Sequence, residues 1–249
     1  MNRVFDFDVV KEAICIKSSG QEINRKAIVR QDTGEVLGVV SDNYKLIRHV
    51  EAVSYVEENL NRIGNWKVHK ERTSKNGAHL FIEYVFSEIT GEVQKGDIVA
   101  LSMILTNSYD GMTRFGFMLG AIRILCTNGL KITNRFFELV AKHTFNLDIT
   151  NLIDNSRKMV DVFHEKLPAI QNLSRLPLAL PFDARVQGII NKGLIPRRLS
   201  ETILKQGQRD TTTEWGMFNR YTGELTHNYK GSYDRYNELQ NQVSAEFGI

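Results

Sequence analysis

Basic and aromatic side chains interleave through the middle of this sequence. Lys67, Lys70, Arg72 and Lys75 crowd one short stretch, Arg114 and Arg123 flank a long apolar run, and Lys131 and Arg135 follow it. Tyr84, Phe86, Tyr109, Phe115 and Phe117 lie among them. Cations neutralise phosphates, and an exposed ring stacks on any base, so the pattern suits sequence-neutral binding of single strands. The competing explanation is ordinary: aromatics in strands fill a core, and basic side chains solvate a face. On the binding reading Lys67, Lys70, Arg72, Arg114, Arg123, Lys131 and Arg135 meet phosphates, and Tyr109 is the stacking ring.

Other chemistries find less footing. A two-metal nuclease needs converging carboxylates, for which Asp97, Asp110 and Glu83 are the candidates; each also reads as a turn or solvent-face residue. The six histidines are scattered at 49, 69, 79, 143, 164 and 227, with no cysteine or carboxylate at ligand spacing, so no metal is expected. His69 and His79 can face each other across a hairpin. Cys126 ends an apolar strand, where a thiol is usually buried and inert. Gly111, Gly116 and Gly120 lack phosphate-loop spacing, and no cofactor is implied.

These residues hang on a recognisable frame. Two apolar runs, Asp97 to Thr106 and Met112 to Cys126, flank Asn107-Ser108-Tyr109-Asp110-Gly111, a turn-forming cluster, and read as central antiparallel strands. Arg123 interrupts the second run. A guanidinium in such a run needs an acid, for example Glu83, or an anion.

Upstream, a short strand or helix is expected around Val9 to Ile16. Ile23 to Arg30 and Glu35 to Val40 form a hairpin about Asp32-Thr33-Gly34, with Ile23, Arg25, Ala27 and Val29 on one face. Val50, Val53, Val56 and Leu60 mark a helix from Arg48 to Ile63. Trp66 to Arg72 and His79 to Phe86 form a second hairpin across Asn76-Gly77. Residues 91 to 96 read as a polar connection.

Downstream, helices are expected at Asn134–Ala141, Thr150–Leu167, Phe182–Lys192, Arg197–Gln206 and Tyr233–Phe247. Pro168 ends or kinks the second of these, with Leu152, Ile153, Met159, Val160 and Phe163 inward. Leu173 to Pro181 is a packed loop. The expected fold is α+β: a mostly antiparallel sheet of about six strands with one inserted helix, covered by C-terminal helices. Residues 1–140 form the sheet domain and 141–249 a mainly helical region.

A chain of 249 residues with 42% apolar and 24% charged residues belongs to ordinary globular proteins. A net charge of +3 permits nucleic-acid binding without demanding it. Two distant cysteines, the lack of a signal peptide and the lack of a membrane-length apolar run point to the cytoplasm.

The blocks VRQDTGEVLGVVSDNYKLI (29–47), TNSYDGMTRFGFMLGAIRILCTNGL (106–130) and TEWGMFNRYTGELTH (213–227) carry a resemblance. The chain resembles a family of uncharacterised phage and plasmid proteins. Asn107, Tyr109, Asp110, Gly111, Arg123, Cys126, Thr127 and Asn128 are the positions that match its motif. A hairpin and helix ahead of a strand-rich core also look like the phage single-strand annealing proteins, which form rings around a basic groove. That likeness implies a non-enzymatic, homo-oligomeric single-stranded-DNA-binding or annealing protein in the host cytoplasm. The alternatives are a structural or host-protein-interaction protein and a metal-dependent nuclease. Strand pairing places Asn107 near Phe115 and away from Thr127, so the motif's two polar ends are not expected to form one catalytic site.

Overall fold

A computed structural model describes residues 3–124, 129–130, 138–144, 158–231 and 233–249. The fold is α+β, with two antiparallel sheets and C-terminal helices. Two compact units emerge. Described residues within 1–84, 104–118 and 138–157 make the first, and those within 85–103, 119–137 and 158–249 the second.

In the first unit β1 (Val9–Cys15), β2 (Glu22–Arg30) and β3 (Val36–Val40) form a three-stranded sheet in that order. The β2–β3 hairpin closes as its turn residues require, with Gly34 at φ +71° and its N–H donating to Arg30 O at 2.8 Å. This hairpin belongs to a separate sheet and does not extend the large one. The shared face of Ile23, Arg25, Ala27 and Val29 is not uniformly covered. Ile23 and Arg25 are exposed, while Ala27 and Ile28 are both buried, so the end of the strand is covered on two sides.

β3 runs hard against the turn between the central strands. A Cβ on Gly38 would stand 2.5 Å from Asp110 Cα and 2.7 Å from Tyr109 O, which is backbone that cannot swing aside. Gly38→Ala is therefore expected to cost about 1–3 kcal/mol in urea unfolding. Unchanged stability would show that this contact is not tight.

Helix α1 (His49–Leu60) buries Ala52, Val53, Val56 and Leu60. Val50, expected inward, is 39% exposed because the stripe has turned toward His49 and Ala52.

The larger sheet has six strands: β4 (Lys67–Ser74), β5 (His79–Gln94), β6 (Asp97–Ser108), β7 (Phe115–Arg123), β8 (Gly129–Leu130) and β9 (Glu138–Ala141). Its order is β4-β5-β6-β7-β8, with β9 also pairing with β7. Short connections force β4, β5, β6 and β7 to alternate in direction. Lys75, Asn76 and Gly77 all take positive φ in the first of these turns, as an Asn-Gly hairpin demands. β6 is buried from Val99 through Ser108, so its apolar run reflects cover on both faces.

Two expectations fail here. Residues 91–94 continue β5, and Gly91 gives Leu167 room, since a Cβ would sit 2.3 Å from Leu167 Cδ2. Glu138–Ala141 is a strand and not part of a helix, because it pairs with Phe115–Met118 of β7. Local propensity yields to that ladder.

The second unit contains α2 (Lys158–Arg175), α3 (Phe182–Lys192), α4 (Arg197–Gln206), α5 (Glu214–Asn228) and α6 (Tyr233–Phe247). Helix α2 continues through Pro168 to Arg175, and its buried stripe is Met159, Val162, Phe163, Ile170 and Leu173. Val160 is half-buried, and Leu152 and Ile153 lie outside the described residues. Helices α3, α4 and α6 match their expected bounds, and Gly193 ends α3 in the left-handed region at φ +69°. Helix α5 was not expected. Thr213 caps it by accepting from Gly216 N–H at 3.1 Å. Arg185 ties three helices together, at 2.9 Å to Glu214 and 3.1 Å to Glu246. Among the described residues, no helix is long and apolar enough to cross a membrane.

Candidate functional site

The motif residues after β6 turn inward. Asn107 Nδ2 donates to Ile47 O at 3.0 Å and to His49 Nδ1 at 2.9 Å. The carbonyl fixes the orientation of the amide, and the amide in turn leaves the His49 proton on Nε2, which donates to Gly77 O at 2.9 Å. The Tyr109 ring stacks on His49 with centroids 3.9 Å apart, and its hydroxyl accepts from His49 N–H at 2.8 Å. Both rings are fully buried. Burial, with His143 and His79 nearby, lowers the His49 pKa to about 3, so the ring is neutral.

Two further histidines hold the same turn. His79 Nε2 lies 2.8 Å from each Asp110 oxygen, and Lys75 Nζ reaches Asp110 at 3.0 Å. Burial alone would raise the Asp110 pKa. Donation from Met112 N–H, His79 and Lys75 outweighs it and holds the carboxyl below its ordinary range. Tyr44 donates to Ser108 O at 2.6 Å and stacks on His143 at 4.8 Å. His143 Nδ1–H donates to Lys45 O at 3.1 Å, and burial lowers its pKa to about 4. Gly111, at φ +72°, lets the chain reverse beside the Tyr44 ring. The result is a clamp of three histidines and Tyr44 around Asn107 to Gly111, with the Tyr109 ring packed inside it.

Tyr109 therefore cannot serve as a stacking platform. Its ring is buried against His49 and Phe7, which corrects the expectation drawn from its place in a turn. The sequence reading missed His49, His79, Tyr44 and His143 as partners of the motif. One signal was present: His79 heads an apolar run, where an imidazole needs a partner.

In the second unit Arg123 is ion-paired with Asp97, whose second oxygen accepts from Trp215 Nε1 at 2.8 Å. The Ile124 N–H donation to Ile98 O at 2.9 Å sets these neighbours side by side. The acid expected opposite Arg123 is thus Asp97. Arg123 is committed to an internal pair, not held open for a phosphate, and Asp97 is committed with it. Asp110 is likewise occupied, and Glu83 is 8% exposed within β5. Among the described residues, no group of three His, Cys, Asp or Glu side chains is placed to hold a metal ion.

Three of the expected basic residues, Lys67, Lys70 and Arg72, lie on β4, at the edge of the large sheet. Lys67, His69 and Arg72 are exposed and Lys70 is half-buried. His69 does not face His79, which is buried against Asp110. Lys70 and Arg72 are two apart on an extended strand, which puts them on one face. Burial lowers the Lys70 pKa, the Arg72 charge lowers it further, and Glu83 opposes both. Just before β4, Trp66 is half-buried, donates to Asn61 Oδ1 at 2.9 Å and stands edge-on to Tyr84 at 5.1 Å. Sequence reading placed Trp66 in the strand without a role. Arg114 is exposed just before β7. Cys126, Thr127, Asn128, Lys131 and Arg135 lie outside the described residues.

These features define an α+β protein whose turn motif is an internal clamp and whose edge strand β4 carries three basic residues, Lys67, Lys70 and Arg72. The chain belongs to the family described as a domain of unknown function, DUF932, which matches residues 36–245. That span begins at β3, so β1 and β2 precede it. No curated protein and no solved structure matches the chain.

Proposed function

We propose that this protein binds single-stranded DNA without covalent chemistry, as a homo-oligomeric binding or annealing protein of a phage or plasmid, in the host cytoplasm. The observation that carries the reading is the like-charge pair on β4. Lys70 and Arg72 stand two apart on one face of the strand, where one phosphate can meet both cations. Lys67 adds charge from the other face of the strand, and Arg114 is a further exposed cation in the same unit. Trp66 takes the stacking role first assigned to Tyr109, because its ring retains exposure. The phage and plasmid setting rests on the resemblance of residues 29–47, 106–130 and 213–227.

Labelled single strands titrated at several salt concentrations test the proposal. Wild-type protein is expected to bind at low salt and to weaken as salt rises. The Lys70→Gln/Arg72→Gln variant should bind about tenfold or more weakly. The slope of log affinity against log salt should fall by about 0.7 for each phosphate that is no longer neutralised. Equal affinity and equal slope in the two proteins would remove β4 as the binding strand.

A further inference from the structure

A cleft of about 660 Å³ opens in the second unit between α4, α5 and α6. That volume is within the range of small-molecule sites, about 300–1,000 Å³. Leu225 and Leu239 are buried at its base, with Leu199 beside them. Tyr229 forms one wall, and its position depends on a glycine: a Cβ on Gly231 would fall 2.1 Å from the Tyr229 hydroxyl and 2.4 Å from Cζ. The ring lies directly across that backbone.

Charge around the cleft is uneven. Arg198 and Lys230 are exposed at its edge, and Arg235 stands there paired with Glu238. The acid in the lining, Glu224, is already engaged. Its Oε2 accepts from Gln206 at 3.0 Å and Asn228 at 2.8 Å. Glu224 keeps its negative charge, but with Arg235 paired to Glu238 the two cations Arg198 and Lys230 stand against this one acid, so an entering anion meets a net positive edge. An apolar body entering here meets leucines and a pre-positioned ring, which favours a flat shape.

We infer that this cleft binds an organic phosphate with a flat apolar body, the chemistry of a nucleoside phosphate. The inference is independent of β4, because the cleft residues all lie in the second unit and the β4 residues in the first. The phosphate belongs either to a free nucleotide or to one unit of a strand.

Calorimetric titration with adenosine monophosphate, inorganic phosphate and adenosine separates the contributions. The monophosphate should bind about tenfold or more tightly than either half, because both subsites are filled at once. Arg198→Gln/Lys230→Gln alters exposed side chains, so folding is retained, and should weaken the monophosphate by about tenfold or more. Tyr229→Ala should weaken the monophosphate and leave inorganic phosphate unchanged. Lys70→Gln/Arg72→Gln should leave monophosphate binding intact, so failure of the strand proposal is distinguishable from failure here. Displacement of the monophosphate by an oligodeoxyadenylate supports the site as one for a strand, and lack of displacement supports it as one for a free nucleotide. No heat from the monophosphate at millimolar concentration, or equal affinity in the Arg198/Lys230 variant, overturns the inference.

Discussion

Asp97→Ala is expected to remove about 3–5 kcal/mol of stability, among the largest losses a single substitution produces in this chain. Asp97 is 3% exposed and serves two partners with two oxygens, the Arg123 guanidinium and the Trp215 indole. Alanine takes the counter-charge from a cation whose side chain is only 21% exposed, and takes the acceptor from a buried N–H. The cost arises from stranding these groups more than from the worth of the pair itself. Asp97→Asn, which keeps an acceptor for Trp215 but not the charge, should cost less. Trp215 lies in the same unit and its fluorescence during urea unfolding reads both variants. A loss below about 1 kcal/mol for the alanine would mean that Arg123 does not depend on Asp97.

The second large effect is on acid stability. His49 and His143 are buried with pKa values lowered to about 3 and about 4, against 6.5 when exposed. Between pH 6.5 and 4 the unfolded chain binds protons that the folded chain refuses, so stability rises with pH there and falls as pH drops. At pH 5 each histidine contributes a loss of about 2 kcal/mol relative to neutral pH, about 4 kcal/mol together. Below that window Asp110 acts in the same direction. Its depressed pKa supplies stability that is present above the ordinary carboxylate range and lost as pH falls through the folded value. Trp66 lies in the same unit as the clamp and reports its unfolding. Urea midpoints at pH 7 and pH 5 should differ markedly, and His143→Phe should remove about half of the difference. Midpoints independent of pH over this range would contradict the buried, neutral state of the two rings.

Legibility followed the range of the interactions. Helices α3, α4 and α6 were readable to the residue because stripe and stop signals lie within the segment, as with Val186, Ile189 and Gly193. Helix α5 was hidden because Trp215, Phe218 and Tyr221 are indifferent helix formers and Gly216 and Gly223 interrupt them. Its stability comes from burying those rings in the second unit. Glu138–Ala141 was misread because its state is decided by β7, some twenty residues upstream. The need of Arg123 for an acid was legible, and so was its partner in principle. Asp97 and Arg123 lie at the ends of β6 and β7 remote from the Asn107–Gly111 turn, whereas Glu83, the acid named as an example, lies on β5. The pairings within the clamp were not legible. His49 meets Asn107 across 58 residues and His143 meets Lys45 across 98, and nothing local marks either pairing. The same closure explains why Tyr109 changed from a candidate ligand contact to core.

The proposal that single strands lie along β4 is tested most directly by the fluorescence of Trp66. Trp215, the other tryptophan, is 2% exposed and should not respond to a ligand on the first unit. Titration with oligothymidylate near about 20 mM salt should quench the emission to a plateau, and added salt should restore it. Trp66→Phe should abolish the quenching. No change in emission at the lowest salt, together with no strand bound, would contradict the account.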